Sequence, residues 1–262
     1  MCAMVGLGAR LERLARRSDP RRLARDPLGV VRASQDREGA ALLTACLAFG
    51  NARSIRVAAA RAIEAWEGGG GPPRGFRYRW IGEGDLARLF GSLREARARH
   101  GSLEMAFLRH DRPESADVGA GLDGFSSELR GRRPTPGLRF LLPRPRDGSA
   151  CKRSLLFLRW VARPDDGADL GLWSGLSPRR LVVPLDTHVH RIAYWLGLTG
   201  RKAPSWRAAL EVTAALRRFD PLDPVRYDFA LAHLGISGDC PRSPVATLCA
   251  PCPLRPHCRA WT

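Results

Sequence analysis

Lysine is almost absent from this chain. Of 43 basic residues only Lys152 and Lys202 are lysine, and the other 41 are arginine. A guanidinium serves a salt bridge or a phosphate contact as well as an ammonium does, often better, but it cannot act as an amine. The two lysines that remain are therefore the places to look for amine chemistry. Long apolar runs are also missing. No segment approaches the roughly 20 residues a membrane span requires, which excludes a transmembrane helix. The N-terminal stretch MCAMVGLGARLERLARRSDPRR has no uninterrupted apolar core and runs straight into charges, so it does not read as a signal peptide. A cytoplasmic, nucleoid-associated protein is the expectation. No segment alternates polar and apolar residues with period two, and no internal repeat is present. The seven cysteines are not spread as a disulfide framework would spread them.

With 262 residues and 44% hydrophobic content, there is enough apolar material for a real core. The sign of the charge is unusual. Against the 43 basic residues stand 26 acidic ones, giving +17 and a pI near 11.1. A folded protein this basic usually meets a polyanion, most often nucleic acid. Abundant Ala, Gly and Pro are consistent with a GC-rich coding bias, which inflates arginine and weakens charge as an argument on its own.

The apolar pattern is helical nearly throughout. Residues 38–49 form an apolar segment stopped by Gly50-Asn51, and 54–66 place Ile55, Ala59, Ala62, Ile63 and Trp66 on one face before the break GGGGPP. A further helix is expected over 84–99 and a short one over 102–108. The stretch 111–150 is the least regular, with room for a helix around 119–130. KRSLLFLRWVAR at 152–163 reads as a helix, as do THVHRIAYWLG after Asp186 and SWRAALEVTAALRRF after Pro204. Asp223-Pro224 predicts an N-cap and first-turn pair for VRYDFALAHLG. The fold class is all-α, closed by a cysteine-bound loop.

That loop holds Cys240, Cys249, Cys252 and Cys258, spaced x8, x2 and x5. Four thiolates suit a [4Fe–4S] cube or a tetrahedral zinc ion. Structural zinc usually uses two short cysteine knuckles, and only Cys249/Cys252 makes one. Single ligands on either side favour a cube wrapped by one loop, with zinc as the alternative. Cys2, Cys46 and Cys151 lie apart from it.

The run PLDTHVHRIAYWLGL at 184–198, followed by DFALAHLGISGDC and then the cysteines, resembles endonuclease III and the adenine glycosylases, members of the helix-hairpin-helix DNA glycosylase superfamily. The whole chain, through its LRW, PLDTHV and YDFAL segments, also resembles a bacterial family of unknown function related to that superfamily. The resemblance implies a two-lobed, helix-hairpin-helix glycosylase-like fold with DNA between the lobes. One lobe would comprise 38–163 and carry the hairpin; the other would comprise 1–37 with 164–262 and carry the iron–sulfur loop. Asp186 matches the family's catalytic carboxylate. Lys152 matches the lysine of bifunctional members, four residues after Gly148 as in the hairpin motif, although Ala150 replaces the motif's second glycine. Cys46 stands where endonuclease III carries the glutamine that fills the gap left by a flipped base.

The resemblance further implies base excision from damaged double-stranded DNA by a monomer. Asp186 would stabilise the sugar cation or help activate the nucleophile, and Lys152 would form a Schiff base. Its place at the start of an apolar helix, next to Arg153, predicts a lowered pKa. Gly148 and Arg153 at the hairpin, with the pairs Arg132-Arg133 and Arg179-Arg180, are the expected DNA contacts. Position alone also makes Asp186 an N-cap, and the two roles are compatible. His190, Trp160, Trp173, Trp195 and Trp206 are expected to be structural, and Arg16-Arg17 and Arg21-Arg22 a solvated face. Two rival readings remain: a non-catalytic DNA- or RNA-binding protein with the same fold and cluster, and a redox sensor whose charge is incidental.

Overall fold

The computed structural model describes residues 6–16 and 26–261, which leaves Cys2, Arg17, Arg21 and Arg22 outside the described residues. Among those described, thirteen α-helices, three short 3-10 helices and a two-stranded hairpin account for the regular structure, so the chain is mostly helical as its periodicity predicts. The helices are α1 (Leu7–Arg16), α2 (Leu28–Arg32), α3 (Arg37–Cys46), α4 (Ala52–Glu67), α5 (Glu83–His100), α6 (Leu103–Leu108) and α7 (Gly119–Arg130). They continue as α8 (Pro136–Leu141), α9 (Lys152–Ala162), α10 (Thr187–Trp195), α11 (Trp206–Leu216), α12 (Asp228–Ile236) and α13 (Ala246–Cys249). Strands β1 (Arg77–Tyr78) and β2 (Ile81–Gly82) pair antiparallel between α4 and α5. None of these helices is long and apolar enough to cross a membrane.

Helix α3 is the centre of the packing. Every residue from Gly39 to Cys46 is buried, as expected of a short helix that is apolar all round. Its N-cap, Asp36, accepts from the Gly39 amide at 3.0 Å and also receives the Trp66 indole N–H at 2.7 Å and the Arg97 guanidinium. α9, in which Leu155, Leu158 and Val161 are buried, packs against α3, and α10 packs against α12. Caps from Asn51, Ser102, Thr135 and Ser205 start α4, α6, α8 and α11, each side chain accepting from the third helical amide.

Two local expectations are corrected. Asp223-Pro224 does not open α12. That helix begins at Asp228, and Asp223 instead accepts from Arg163 Nε at 2.9 Å, so an ion pair displaces the cap. The hairpin within GFRYRWIG adds strand structure that periodicity does not announce, because strands of two residues are too short for alternation to register.

A buried chain of charges stitches the segment after α9 to α12. Arg159 donates from Nε to Asp169 at 3.0 Å and from Nη1 to Asp228 at 2.6 Å, and Arg163 bridges Asp169 to Asp223. Burial is the main influence on Asp228 and pushes its pKa from 3.8 up to about 6, Arg159 only partly opposing it. The folded state therefore holds a proton that the unfolded chain has released between those two values. The contribution of this group is complete below about pH 4 and is lost as pH rises through 6. Asp228→Asn removes that loss. Relative to wild type, the variant should gain up to about 3 kcal/mol between pH 4 and pH 7, at about 1.4 kcal/mol per pKa unit. Paired urea titrations at the two pH values measure the change, and a constant gap would contradict it.

Candidate functional site

A cavity of about 440 Å³ opens between the α3–α4 connection, α9, the start of α10 and one face of α12. Its wall includes Ala48, Gly50, Lys152, Arg159, Asp186 and Asp228. Lys152 and Asp186, 34 residues apart in sequence, thus share one wall, and Asp26 joins them from the start of α2.

Each side chain is held by its element. Lys152 is the first residue of α9, whose packing on α3 carries the ammonium toward the α3–α4 connection; Nζ donates to the Ala48 carbonyl at 3.0 Å. Burial holds its pKa below that of a free lysine, and Arg153 pushes the same way, while the Asp186 and Asp228 carboxylates oppose them. Asp186 is the N-cap of α10. Its Oδ1 accepts from the His188 and Val189 amides, both at 2.8 Å, so the cap is made by one oxygen while the residue lines the cavity. Cap and cavity residue coincide, as the sequence allows.

Burial likewise raises the pKa of Asp26, whose Oδ1 accepts from the Leu28 amide at 2.8 Å. Two buried polar atoms of cavity residues lack a protein partner, Asp228 Oδ1 and His188 Nδ1. Unsatisfied buried atoms of this kind are uncommon and call for a partner. The site thus combines an amine of lowered pKa with three carboxylates, beside two buried polar atoms that lack a protein partner.

Asp26, Arg159 and Asp228 are site residues that sequence reasoning misses. A signal is present for two of them. Arg159 is a lone charge inside the apolar run SLLFLRWVA, and Asp228 stands at the head of the apolar run FALAHLG, positions where an unpaired charge would be costly. Asp26 sits in an Arg-rich stretch and carries no such signal.

The expected DNA contacts divide. Gly148 is exposed, with φ +75° in the turn before α9, and Arg132, Arg133 and Arg179 are exposed as well. Arg180 is corrected. It is buried, paired with Asp111, and donates to the carbonyls of Ser115 and Arg112, which leaves it structural. Arg153 is also turned inward. Its guanidinium lies 3.8 Å from the Phe140 ring centroid and donates to the Phe140 carbonyl, and desolvation drops its pKa to about 10. Cys46 is 2% exposed, its thiol pushed up to about 12 by burial, so it faces the core. His190 is buried with Nε2 3.0 Å from the Arg201 carbonyl, and Trp160 and Trp173 are core residues, as expected.

The four C-terminal cysteines are free thiols that line a single second cavity, closed by Ile192, Trp195 and Leu234. Arg191 donates to the Cys240 carbonyl at 2.7 Å and Arg10 to the Pro253 carbonyl at 2.8 Å, which ties the loop to α10 and α1. Among the described residues, no group of three or more His, Cys, Asp or Glu side chains is drawn together closely enough to hold a metal ion. The cysteines share a cavity without converging on one point.

Fold and site define a mostly helical protein with a cavity lined by a lysine and carboxylates. The family pattern described as protein of unknown function (DUF2400) matches residues 26–237, and the chain belongs to that family. The matched span begins at Asp26 and ends just beyond Ile236, so it takes in the whole wall of the lysine cavity. No curated protein matches the chain, and no solved structure matches it.

Proposed function

We propose that the protein is a DNA base-excision glycosylase with abasic-site lyase activity, working in the lysine cavity on an extruded, damaged base. The observation that supports this best is that Lys152, an amine of lowered pKa, and Asp186 line the same cavity. Its volume falls in the range of small-molecule sites and suits a flipped nucleotide.

In this mechanism the neutral Lys152 amine attacks the sugar carbon C1′. The Nζ–C1′ bond forms as the glycosidic bond breaks, and the base leaves with the bonding pair and takes up a proton. Opening of the sugar ring with loss of an amine proton gives the imine, the Schiff base of a lyase. Asp186 stabilises the positive charge that develops on the sugar.

The four C-terminal cysteines line one cavity, and their spacing, with a single short knuckle at Cys249/Cys252 and lone ligands on either side, favours an iron–sulfur cluster over zinc. Cys240, Cys249, Cys252 and Cys258 would hold a [4Fe–4S] cluster, which would supply structural cross-linking to a loop that Arg191 already ties to α10 through the Cys240 carbonyl.

The test is reductive trapping. With borohydride and an abasic-site duplex, the wild-type protein should form a covalent protein–DNA adduct. Absence of both adduct and base release would leave the second reading, a protein that binds nucleic acid without excision.

A further inference from the structure

The β1–β2 hairpin reverses over two residues, Arg79 and Trp80. Arg79 has φ +55°, a left-handed conformation that glycine ordinarily supplies in a two-residue hairpin turn. A non-glycine residue held there is strained, and such strain gathers at functional positions. Trp80, next to it, is 50% exposed, in contrast to the buried Trp160 and Trp173. It is not a stray surface residue. Its ring meets Phe140 edge-on with centroids 4.3 Å apart and lies 6.5 Å from Phe49, so the indole stands on an aromatic base.

That base borders the lysine cavity. Phe49 lies between Ala48, which accepts the Lys152 ammonium, and Gly50, both on the cavity wall. The Tyr78 hydroxyl donates to the Phe49 carbonyl, which fixes the hairpin on this segment. Arg79 lies over Gly50: a Cβ there would sit 2.9 Å from Arg79 Nε and 3.0 Å from Tyr78 Oη. Arg74, Arg77 and Arg79, in and just before the same hairpin, are all exposed. An exposed aromatic ring at fixed height among arginines is the pattern that grips unpaired nucleic acid, the ring taking a base and the guanidinium groups the backbone.

We propose that the Arg77–Trp80 turn is a stacking platform for an unpaired nucleobase of the bound strand, beside the mouth of the lysine cavity. The platform deepens the nucleic-acid reading of that cavity and rests on it. It also provides an exposed ring where buried Cys46 cannot reach a strand.

The probe is a fluorescein-labelled oligothymidylate, titrated by anisotropy at several salt concentrations with wild type, Trp80→Ala, Trp80→Phe and Arg79→Ala. Trp80→Ala should weaken binding about tenfold without changing the salt slope, and Trp80→Phe should recover most of the loss. Arg79→Ala should reduce the salt slope by about one. Wild-type affinity in Trp80→Ala, equal loss in the Phe and Ala variants, or no binding by wild type would each overturn the platform. Excision is read separately. An adduct on abasic-site DNA from a protein whose Trp80→Ala variant binds normally keeps the glycosylase and removes the platform. Stacking loss without any adduct does the reverse.

Discussion

Lys152→Arg should reduce the borohydride-trapped adduct on abasic-site DNA to background, while Lys202→Arg should leave it at the wild-type level. The change preserves charge and most of the length, and Arg retains a donor for the Ala48 carbonyl. Its effect is to remove an amine that can lose its proton. A guanidinium stays protonated, whereas burial already holds the Lys152 ammonium below the usual lysine range. Lys202 lies exposed before α11 and lines none of this cavity, so it serves as the internal control. Lys152→Met, checked for folding by its melting temperature, should also form no adduct, which separates loss of the amine from a misfit of the larger guanidinium. An adduct of wild-type yield in either variant would move the nucleophile elsewhere.

Cys252→Ala should strip the protein of iron. The wild type, purified anaerobically, should be yellow-brown with about four irons per chain, the content of a single cubane cluster. The variant should be colourless, and its C-terminal loop should become protease-sensitive, since that loop has little core of its own beyond Leu254. Cys46→Ala should keep its iron, because that thiol is buried in α3, away from the cluster loop. One zinc per chain with no visible absorbance would contradict the cluster.

The helical class is legible in the sequence because α4, α5, α9, α10 and α11 carry clean 3.6-residue apolar faces with recognisable caps or stops. Asp186 is legible for the same reason, since a carboxylate at the start of α10 reads as a cap wherever its second oxygen points. Lys152 stands out through the scarcity of lysine. The rest depends on partners far away in sequence. Arg180 and Arg153 look like any other surface arginine until Asp111, 69 residues away, and the Phe140 ring are brought against them. Asp228 joins the cavity only because α12 packs on α10. The hairpin under Trp80 is held by the Tyr78–Phe49 contact rather than by its own four strand residues.

Whether this cavity excises bases is decided by a product assay on duplexes carrying oxidised bases, run with wild type and Asp186→Asn side by side. Asparagine caps helices about as well as aspartate, so the variant should stay folded and keep its DNA affinity. It loses the negative charge beside the developing sugar cation, and an effect of the size seen on removing one preorganised electrostatic group, about 10²–10³ in rate, is expected. Wild type should release the base, and Asp186→Asn should show a loss of that order at unchanged binding. Equal base release by the two proteins would reduce Asp186 to a helix cap, and release by neither on any lesion would contradict excision altogether.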